Sequence, residues 1–166
     1  MSNGDTVFIN RNQRKALLTW VSVYLTHRLI LKVKLLASDE YDIVALMDGP
    51  DCPVEFFLLT GEAGTHAHRV ALVQMLRTVA EKGLQNVPAA WMHEANKQDR
   101  IYEFIKGPLR LFFFKGHGRQ IAVCCGGVRK KGPKADKAEV AKAAKARKEY
   151  LRAVADNALE VIEDED

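Results

Sequence analysis

Apolar positions dominate residues 17–36, but their spacing changes along this segment. Over residues 14–25 the apolar side chains recur with the period of an amphipathic helix, whereas the alternating pattern over residues 29–35 favours a strand equally well. Ionisable side chains at positions 27, 28, 32 and 34 interrupt the segment. A membrane span requires about twenty nearly uncharged residues, so the sequence predicts neither a membrane helix nor a signal peptide.

The next segment predicts a strand followed by two helices. Residues 41–47 form a short apolar run that ends at the turn residues 48–51, as expected of a buried strand. Pro53 suits the first position of a short helix over residues 54–59. Thr65 is a suitable N-cap for a second helix, which ends at Lys82 and Gly83. We therefore expect a helical hairpin after the first strand.

The second half of the chain predicts three strands and a long helix. Apolar runs over residues 101–105, 109–114 and 120–125 are joined by two short, glycine-bearing connections, which is typical of an antiparallel meander. Asp136 suits the N-cap of a helix over residues 136–157, with Glu139 three residues later. No internal repeat or low-complexity linker divides the chain. The predicted order is β-α-α-β-β-β-α in a single domain.

Charge is distributed unevenly along the chain, although its net value is only +4. Residues 1–96 carry a net charge of −1, residues 97–152 carry +11 and residues 153–166 carry −6. A block with this much positive charge attracts polyanions, because phosphates that it neutralises release their condensed counterions. Nucleic acid is therefore the expected partner class. The alternative is a solvated, lysine-rich helix face without a partner. The acidic end either folds back on the basic face or promotes solubility.

Several kinds of chemistry have no signature in the sequence. The three cysteines, two of them adjacent, do not form a paired disulfide framework, and a reducing, cytoplasmic compartment is expected. The histidines and cysteines lack the spacing of a zinc site, so no metal is expected. The common nucleotide-binding and serine-hydrolase motifs are also missing, and no cofactor is predicted.

Cations converge on the predicted meander. Lys97 and Arg100 precede its first strand, Lys106 lies in its first turn, and Arg110 is the one charged residue inside an apolar strand. A charge in such a strand is costly unless a partner or an anion meets it. A purely structural interpretation is a salt bridge from Arg110 to Glu103. The alternative is a phosphate site, because arginine offers several donors to phosphate oxygens.

These segments together resemble a known family. Residues 102–114 (YEFIKGPLRLFFF), residues 120–128, the basic cluster Arg129-Lys130-Lys131 and the lysine-rich helix are similar to the phage-derived branch of the RelE/HigB toxins of bacterial toxin–antitoxin systems. Residues 41–83, with the helix start CPVEF, resemble that family's opening strand and helical hairpin. The resemblance covers roughly residues 40–152. It implies an α+β fold with a small antiparallel sheet, helices packed on one face and a basic groove on the other.

The resemblance also implies an activity. Members of the family typically cut mRNA in the ribosomal A site without a metal, by attack of the ribose 2′-hydroxyl on the adjacent phosphate. The residues that would position the phosphate and stabilise the transition state are Arg110, Lys97, Arg129 and Lys130. The additional residues expected to bind RNA are Arg100, Lys106, Lys131 and Lys134. A lysine with a lowered pKa would assist proton transfer.

The sequence departs from the family pattern at one place. Many members carry a histidine, a glycine and a phenylalanine before the basic cluster, where this chain has Cys125-Gly126-Gly127. Aromatic side chains commonly stack on RNA bases, so this difference favours a second hypothesis, a catalytically inactive RNA-binding protein of prophage origin. A third hypothesis is a gyrase inhibitor of the ParE type, since one fold can host different functions.

The resemblance divides the chain into three parts. Residues 1–39 form an N-terminal extension, residues 40–155 the toxin domain and residues 156–166 an acidic tail. Residues 1–38 have no counterpart in short family members, and three explanations stay open: a helix that covers the sheet edge, a misassigned start codon, or a segment that contacts a partner. The expected partners are a cognate antitoxin, mRNA and the ribosome.

Overall fold

The computed structural model describes residues 29–132 and 136–164. In these residues seven strands form one mixed, mostly antiparallel sheet, with three α-helices. The helix predicted over residues 14–25 lies outside the described part of the chain. The strands are β1 (Leu31–Ser38), β2 (Asp42–Leu46), β3 (Met92–Asn96), β4 (Ile101–Lys106), β5 (Leu109–Phe114), β6 (Gln120–Arg129) and β7 (Leu159–Ile162). The helices are α1 (Pro53–Leu59), α2 (His66–Lys82) and α3 (Lys137–Ala155).

The strand order across the sheet is β3-β4-β5-β6-β2-β1-β7. Strands β3 to β6 form an antiparallel meander in chain order. Strand β2 joins β6 in parallel, β1 pairs antiparallel with β2, and β7 pairs in parallel with β1. The predicted α+β class and meander are therefore confirmed, while the order of elements matches the prediction only roughly.

Helices cover both faces of the sheet, whereas the family resemblance implied helices on one face. Alternate residues of β5 explain the arrangement. Leu111 and Phe113 pack in the core under α1 and α2, and Phe112 and Phe114 pack in a second core with Tyr150 of α3. Side chains along a strand point alternately to its two sides, so a strand with apolar residues on both sides must be covered on both faces. We refer to these surfaces as the α1–α2 face and the α3 face.

Strands β1 and β7 extend the sheet beyond the predicted domain limits at residues 39 and 155. Lys34 on β1 anchors this edge: its Nζ lies 2.6 Å from Glu55 Oε1 of α1 and 2.8 Å from Asp164 Oδ1. Hydrogen bonds to Asp164 and Glu55 raise the pKa of Lys34 above its usual value. The described part of the acidic tail is therefore fixed at the β7 edge, across the sheet from the meander.

Among the described residues, no helix combines the length and apolar character needed to cross a membrane.

Candidate phosphate-binding cleft

A cleft of about 530 Å³ lies on the α3 face, where the meander meets the start of α3. Four of its lining residues are apolar, namely Ala95, Phe112, Val128 and Val140. Its ionisable lining residues are His93, Glu103, Arg110, Arg129, Lys130, Lys131 and Asp136. Because three cations, Arg110, Lys130 and Lys131, meet two carboxylates here, the cleft carries a positive excess that suits an anion.

Half of the sequence-predicted residues meet in this cleft. Arg110, Arg129, Lys130 and Lys131 line it, as the convergence of cations on the meander suggested. They are near one another because β5 and β6 are neighbours, but the Arg129 side chain leaves β6 on the α1–α2 face, as does Leu109 opposite it.

The remaining predicted residues do not line the cleft. Lys97 and Arg100 lie in the turn between β3 and β4, whereas Lys106 ends β4 at its opposite end. The length of β4 therefore separates Lys97 from the turn beside Arg110, so the structure does not bring Lys97 to the predicted catalytic position. Lys134 lies outside the described residues.

Arg110 is largely buried, with 15% of its side chain exposed, and it is anchored by backbone carbonyls. Its Nη1 donates hydrogen bonds to the carbonyl oxygens of Gly107, at 2.8 Å, and Leu109, at 2.9 Å. Its Nε is buried without a hydrogen-bond partner and lies 3.8 Å from Glu103 Oε1. The alternative ion pair with Glu103 thus exists, but at a distance too long for a hydrogen bond.

The turn between β4 and β5 holds Arg110 and Lys130 together. Gly107, which anchors the Arg110 guanidinium, has a φ of +53°, a value that favours glycine. The next residue, Pro108, accepts a 2.7 Å hydrogen bond from the backbone N–H of Lys130. The ring of His68 from α2 packs against this turn, so closely that a Cβ at position 107 would lie 2.5 Å from the ring. Packing from the α1–α2 face therefore fixes the turn.

Arg129 is paired with Glu62, a residue of the loop between α1 and α2. Both side chains are well exposed, with 45% and 69% of their surfaces accessible. Nearby, Gly127 allows Phe57 of α1 to pack directly on β6, because a Cβ there would lie 2.2 Å from the phenylalanine ring. The exit of β6 is thus held against α1, and the Arg129 side chain is engaged with a carboxylate on the α1–α2 face.

His93 was not recognised from the sequence as a member of this site. It stands directly opposite Glu103 in the pairing of β3 with β4, and its Nδ1 lies 3.4 Å from Glu103 Oε1. The same oxygen is the one that faces Arg110 Nε. The His93 side chain is 65% exposed, whereas that of Glu103 is 14% exposed. Strand β3 has few apolar residues and was not predicted, so its register with β4 could not place His93 beside Glu103.

Cys125 occupies the position at which the sequence differs from the family pattern that it resembles. An irregularity in the pairing of β5 with β6 lies here, and Cys125 Sγ donates a hydrogen bond to the Phe112 carbonyl oxygen at 3.4 Å. Burial raises the pKa of this thiol to about 12, and the charge of Glu139 contributes in the same direction. A thiol must ionise to act as a nucleophile, so Cys125 is a packing residue.

The start of α3 forms the wall of the cleft opposite the strands. As the sequence predicted, Asp136 caps this helix: its Oδ1 accepts a 3.2 Å hydrogen bond from the backbone N–H of Glu139. Among the described residues, no group of three or more histidine, cysteine, aspartate or glutamate side chains is placed to hold a metal ion.

Comparison of the chain with models of protein families, with curated proteins and with solved structures gives no match.

Proposed function

We propose that the cleft binds the phosphodiester backbone of single-stranded RNA and that the protein is a RelE/HigB-like toxin, an mRNA endonuclease that depends on the ribosome and not on a metal. The observation that carries the proposal is the Arg110 guanidinium, which is fixed by the carbonyl groups of its own turn and lines the cleft together with Lys130 and Lys131. A preorganised cation of this kind stabilises negative charge without reorganising during a reaction. The volume of the cleft lies in the range of small-ligand sites and suits a short segment of RNA.

The proposed reaction is an attack of the ribose 2′-oxygen on the adjacent phosphorus. The new P–O2′ bond forms as the P–O5′ bond breaks, which leaves a 2′,3′-cyclic phosphate and a free 5′-hydroxyl. Charge accumulates on the non-bridging phosphate oxygens in the transition state. The Nη2 donor of Arg110, which has no hydrogen-bond partner among the described residues, and the ammonium of Lys130 are the groups assigned to stabilise it.

The proposal extends to the cellular setting that the resemblance implies. A toxin of this kind acts in the cytoplasm and is neutralised by a cognate antitoxin. Expression should therefore arrest growth, and co-expression of the neighbouring gene should relieve the arrest. Growth arrest by an Arg110→Ala variant of equal abundance would contradict the assignment of the site.

The direct test is a cell-free translation reaction with purified protein, in which primer extension maps the 5′ ends of the mRNA. Wild-type protein should cut only when ribosomes are present, and Arg110→Ala should not cut. Arg77→Ala is a matched control, because Arg77 is an exposed arginine of α2 on the other face of the sheet. Intact mRNA with folded wild-type protein would overturn the endonuclease.

Two measurements then separate the remaining hypotheses. RNA binding that weakens with salt, without cleavage, would indicate the inactive RNA-binding protein. Inhibition of DNA gyrase with intact mRNA would indicate the ParE-type activity.

A further inference from the structure

We propose that His93, oriented by Glu103, accepts the proton of the attacking 2′-hydroxyl. This inference rests on the proposed endonuclease function and assigns its general base. The 2′-oxygen must lose a proton as it attacks, and a side chain that removes this proton contributes typically 10²- to 10⁴-fold to a rate. The carrying observation is that His93 and Glu103 face each other at the wall of the basic cleft.

The register of the sheet places the two side chains on the same face. His93 and Glu103 are directly opposite residues of β3 and β4, and opposite residues in an antiparallel pair have neighbouring side chains. Glu103 Oε1 lies 3.4 Å from Nδ1, longer than the usual hydrogen bond, and its negative charge favours a proton on this nearer nitrogen. In that tautomer Nε2 carries the lone pair, and among the described residues Nε2 has no partner.

Glu103 is well suited to hold the imidazole. Its side chain is nearly buried, and its Oε1 lies between the ring of His93 and the Nε of Arg110. A carboxylate in this position stabilises the imidazolium that forms when His93 accepts a proton. The same carboxylate therefore couples the proposed base to the arginine assigned to the phosphate.

The other lining residues are poor proton acceptors. Lys130 and Lys131 carry no lone pair while they are ammonium ions. The carboxylate of Asp136 is engaged at the start of α3 through its hydrogen bond from Glu139. Cys125, which does not line the cleft, has a raised pKa and donates a hydrogen bond to the Phe112 carbonyl oxygen. His93 is the exposed lining residue with a ring nitrogen that can accept a proton.

The proton balance of the step is complete. Nε2 of His93 takes the 2′-hydroxyl proton as the P–O2′ bond forms, and the departing 5′-oxygen takes a proton from water as the P–O5′ bond breaks. The imidazolium then returns its proton to solvent, so the enzyme is regenerated. The step needs no oxidant, reductant or cofactor.

The charged groups around His93 come from every neighbouring element. They are Glu94 on β3, Glu103 on β4, Arg110 on β5, Arg129, Lys130 and Lys131 at the end of β6, and Asp136 before α3. Only neutral imidazole accepts a proton, so the cleavage rate should rise with pH as the base loses its proton.

The test compares His93→Gln with wild type in the ribosome-dependent cleavage reaction from pH 5.5 to 8.5. We expect His93→Gln to cleave about 100-fold more slowly and to lose the rise with pH, while its affinity for a short single-stranded RNA changes less than twofold. His66→Gln, an exposed histidine at the start of α2, is the matched control and should behave as wild type.

A second variant distinguishes proton transfer from a structural effect. His93→Ala leaves space beside Glu103, and added imidazole should restore part of its cleavage rate in proportion to imidazole concentration. Cleavage by His93→Gln at the wild-type rate and with the wild-type pH profile would overturn the role of His93 alone. A lack of cleavage by wild-type protein would overturn the proposed function, and this inference with it.

Discussion

Arg110 and Lys130 are held by consecutive carbonyl groups of a single turn. Arg110 Nη1 donates to the carbonyl of Gly107 at 2.8 Å, and the backbone N–H of Lys130 donates to the carbonyl of Pro108 at 2.7 Å. Two basic residues that are 20 positions apart in the chain are therefore attached to one turn, Arg110 through its guanidinium and Lys130 through its backbone. The conformation of this turn fixes the position of the Arg110 guanidinium, and with it the fit of the cleft to a phosphate.

Substitution of Gly107 by alanine should disturb both stability and the cleft. The positive φ disfavours any residue with a Cβ, and the new methyl group would meet the ring of His68. We expect the free energy of unfolding, measured by urea denaturation, to fall by about 1–3 kcal/mol, with weaker RNA binding.

Gly118→Ala is the matched control for the variant at position 107. Gly118 has a φ of +60°, but nothing lies within 4 Å of a Cβ at this position. This variant should carry the backbone penalty without the steric one, so it should lose less stability and bind RNA as wild type does. Equal losses in both variants would show that contact with His68 does not matter.

Replacing Glu62 by glutamine should strengthen RNA binding. Glu62 holds the Arg129 side chain on the α1–α2 face, so removing its charge leaves an unpaired cation at the border of the cleft. The pair is exposed enough that its loss should change stability by less than about 1 kcal/mol. We expect a roughly two- to fivefold gain in affinity at low salt, measured by fluorescence anisotropy with a labelled single-stranded RNA.

Glu81→Gln is the control for a general change of charge. Glu81 is exposed on α2 and lies outside the cleft. It removes the same charge and should leave affinity unchanged. An equal gain from both variants would assign the effect to net charge rather than to Arg129.

Lys34 should contribute more to stability than its place near the end of the sheet suggests. Its side chain is 14% exposed, and its ammonium contacts Glu55 and Asp164. Removing hydrogen bonds to a charged group costs about 1.5–3 kcal/mol, so Lys34→Met should lower the free energy of unfolding by about that amount.

The pH dependence of the Lys34 contribution follows from the direction of its shift. Because the folded state raises the pKa of Lys34, this stabilisation is fully present below the ordinary lysine pKa and is lost only at strongly alkaline pH. The difference in free energy of unfolding between wild type and Lys34→Met should therefore be constant from pH 6 to 9. A difference that changes over this range would contradict the assigned contacts.

Asp164→Asn should lower the free energy of unfolding by less than about 1 kcal/mol, because Asp164 is 76% exposed.

The thiol of Cys125 should be unreactive in the folded protein. Its pKa of about 12 keeps it protonated, while an unfolded cysteine ionises near pH 8.5. Iodoacetamide at pH 8 should therefore modify Cys125 far more slowly than the same residue in urea, as read by mass spectrometry of the peptide. Stability should also decline as pH rises above about 8.5, because only the unfolded thiol then releases its proton. Rapid labelling under native conditions would contradict the buried, hydrogen-bonded position.

Local patterns of the sequence were sufficient to predict the meander and the helices. Glycine-bearing turns bound β5 on both sides, and Asp136 marks the start of α3 as its cap. The strands at the sheet edges were harder to predict, because β3 is largely polar and β7 lies within the acidic tail. Their pairing depends on neighbours distant in the chain, which a local period does not reveal.

The two-sided burial of the sheet had a signal in the sequence that the family resemblance obscured. Apart from Arg110, β5 is apolar at every position, a pattern typical of strands covered on both faces.

The site could be predicted only in part from the sequence. Charge revealed Arg110 and the basic cluster after β6, whereas His93 enters the cleft only through the register of a strand that was not predicted.

The most direct test of the central claim is cleavage of a synthetic mRNA that carries one 2′-deoxynucleotide on the 5′ side of a mapped cut. With the 2′-hydroxyl as nucleophile, translating ribosomes and wild-type protein should yield no cut at that position and normal cuts elsewhere on the same molecule. An all-ribose mRNA in a parallel reaction should show every cut, with 2′,3′-cyclic phosphate ends. An undiminished cut at the deoxynucleotide would contradict the account, because the attacking oxygen would then have to come from another source.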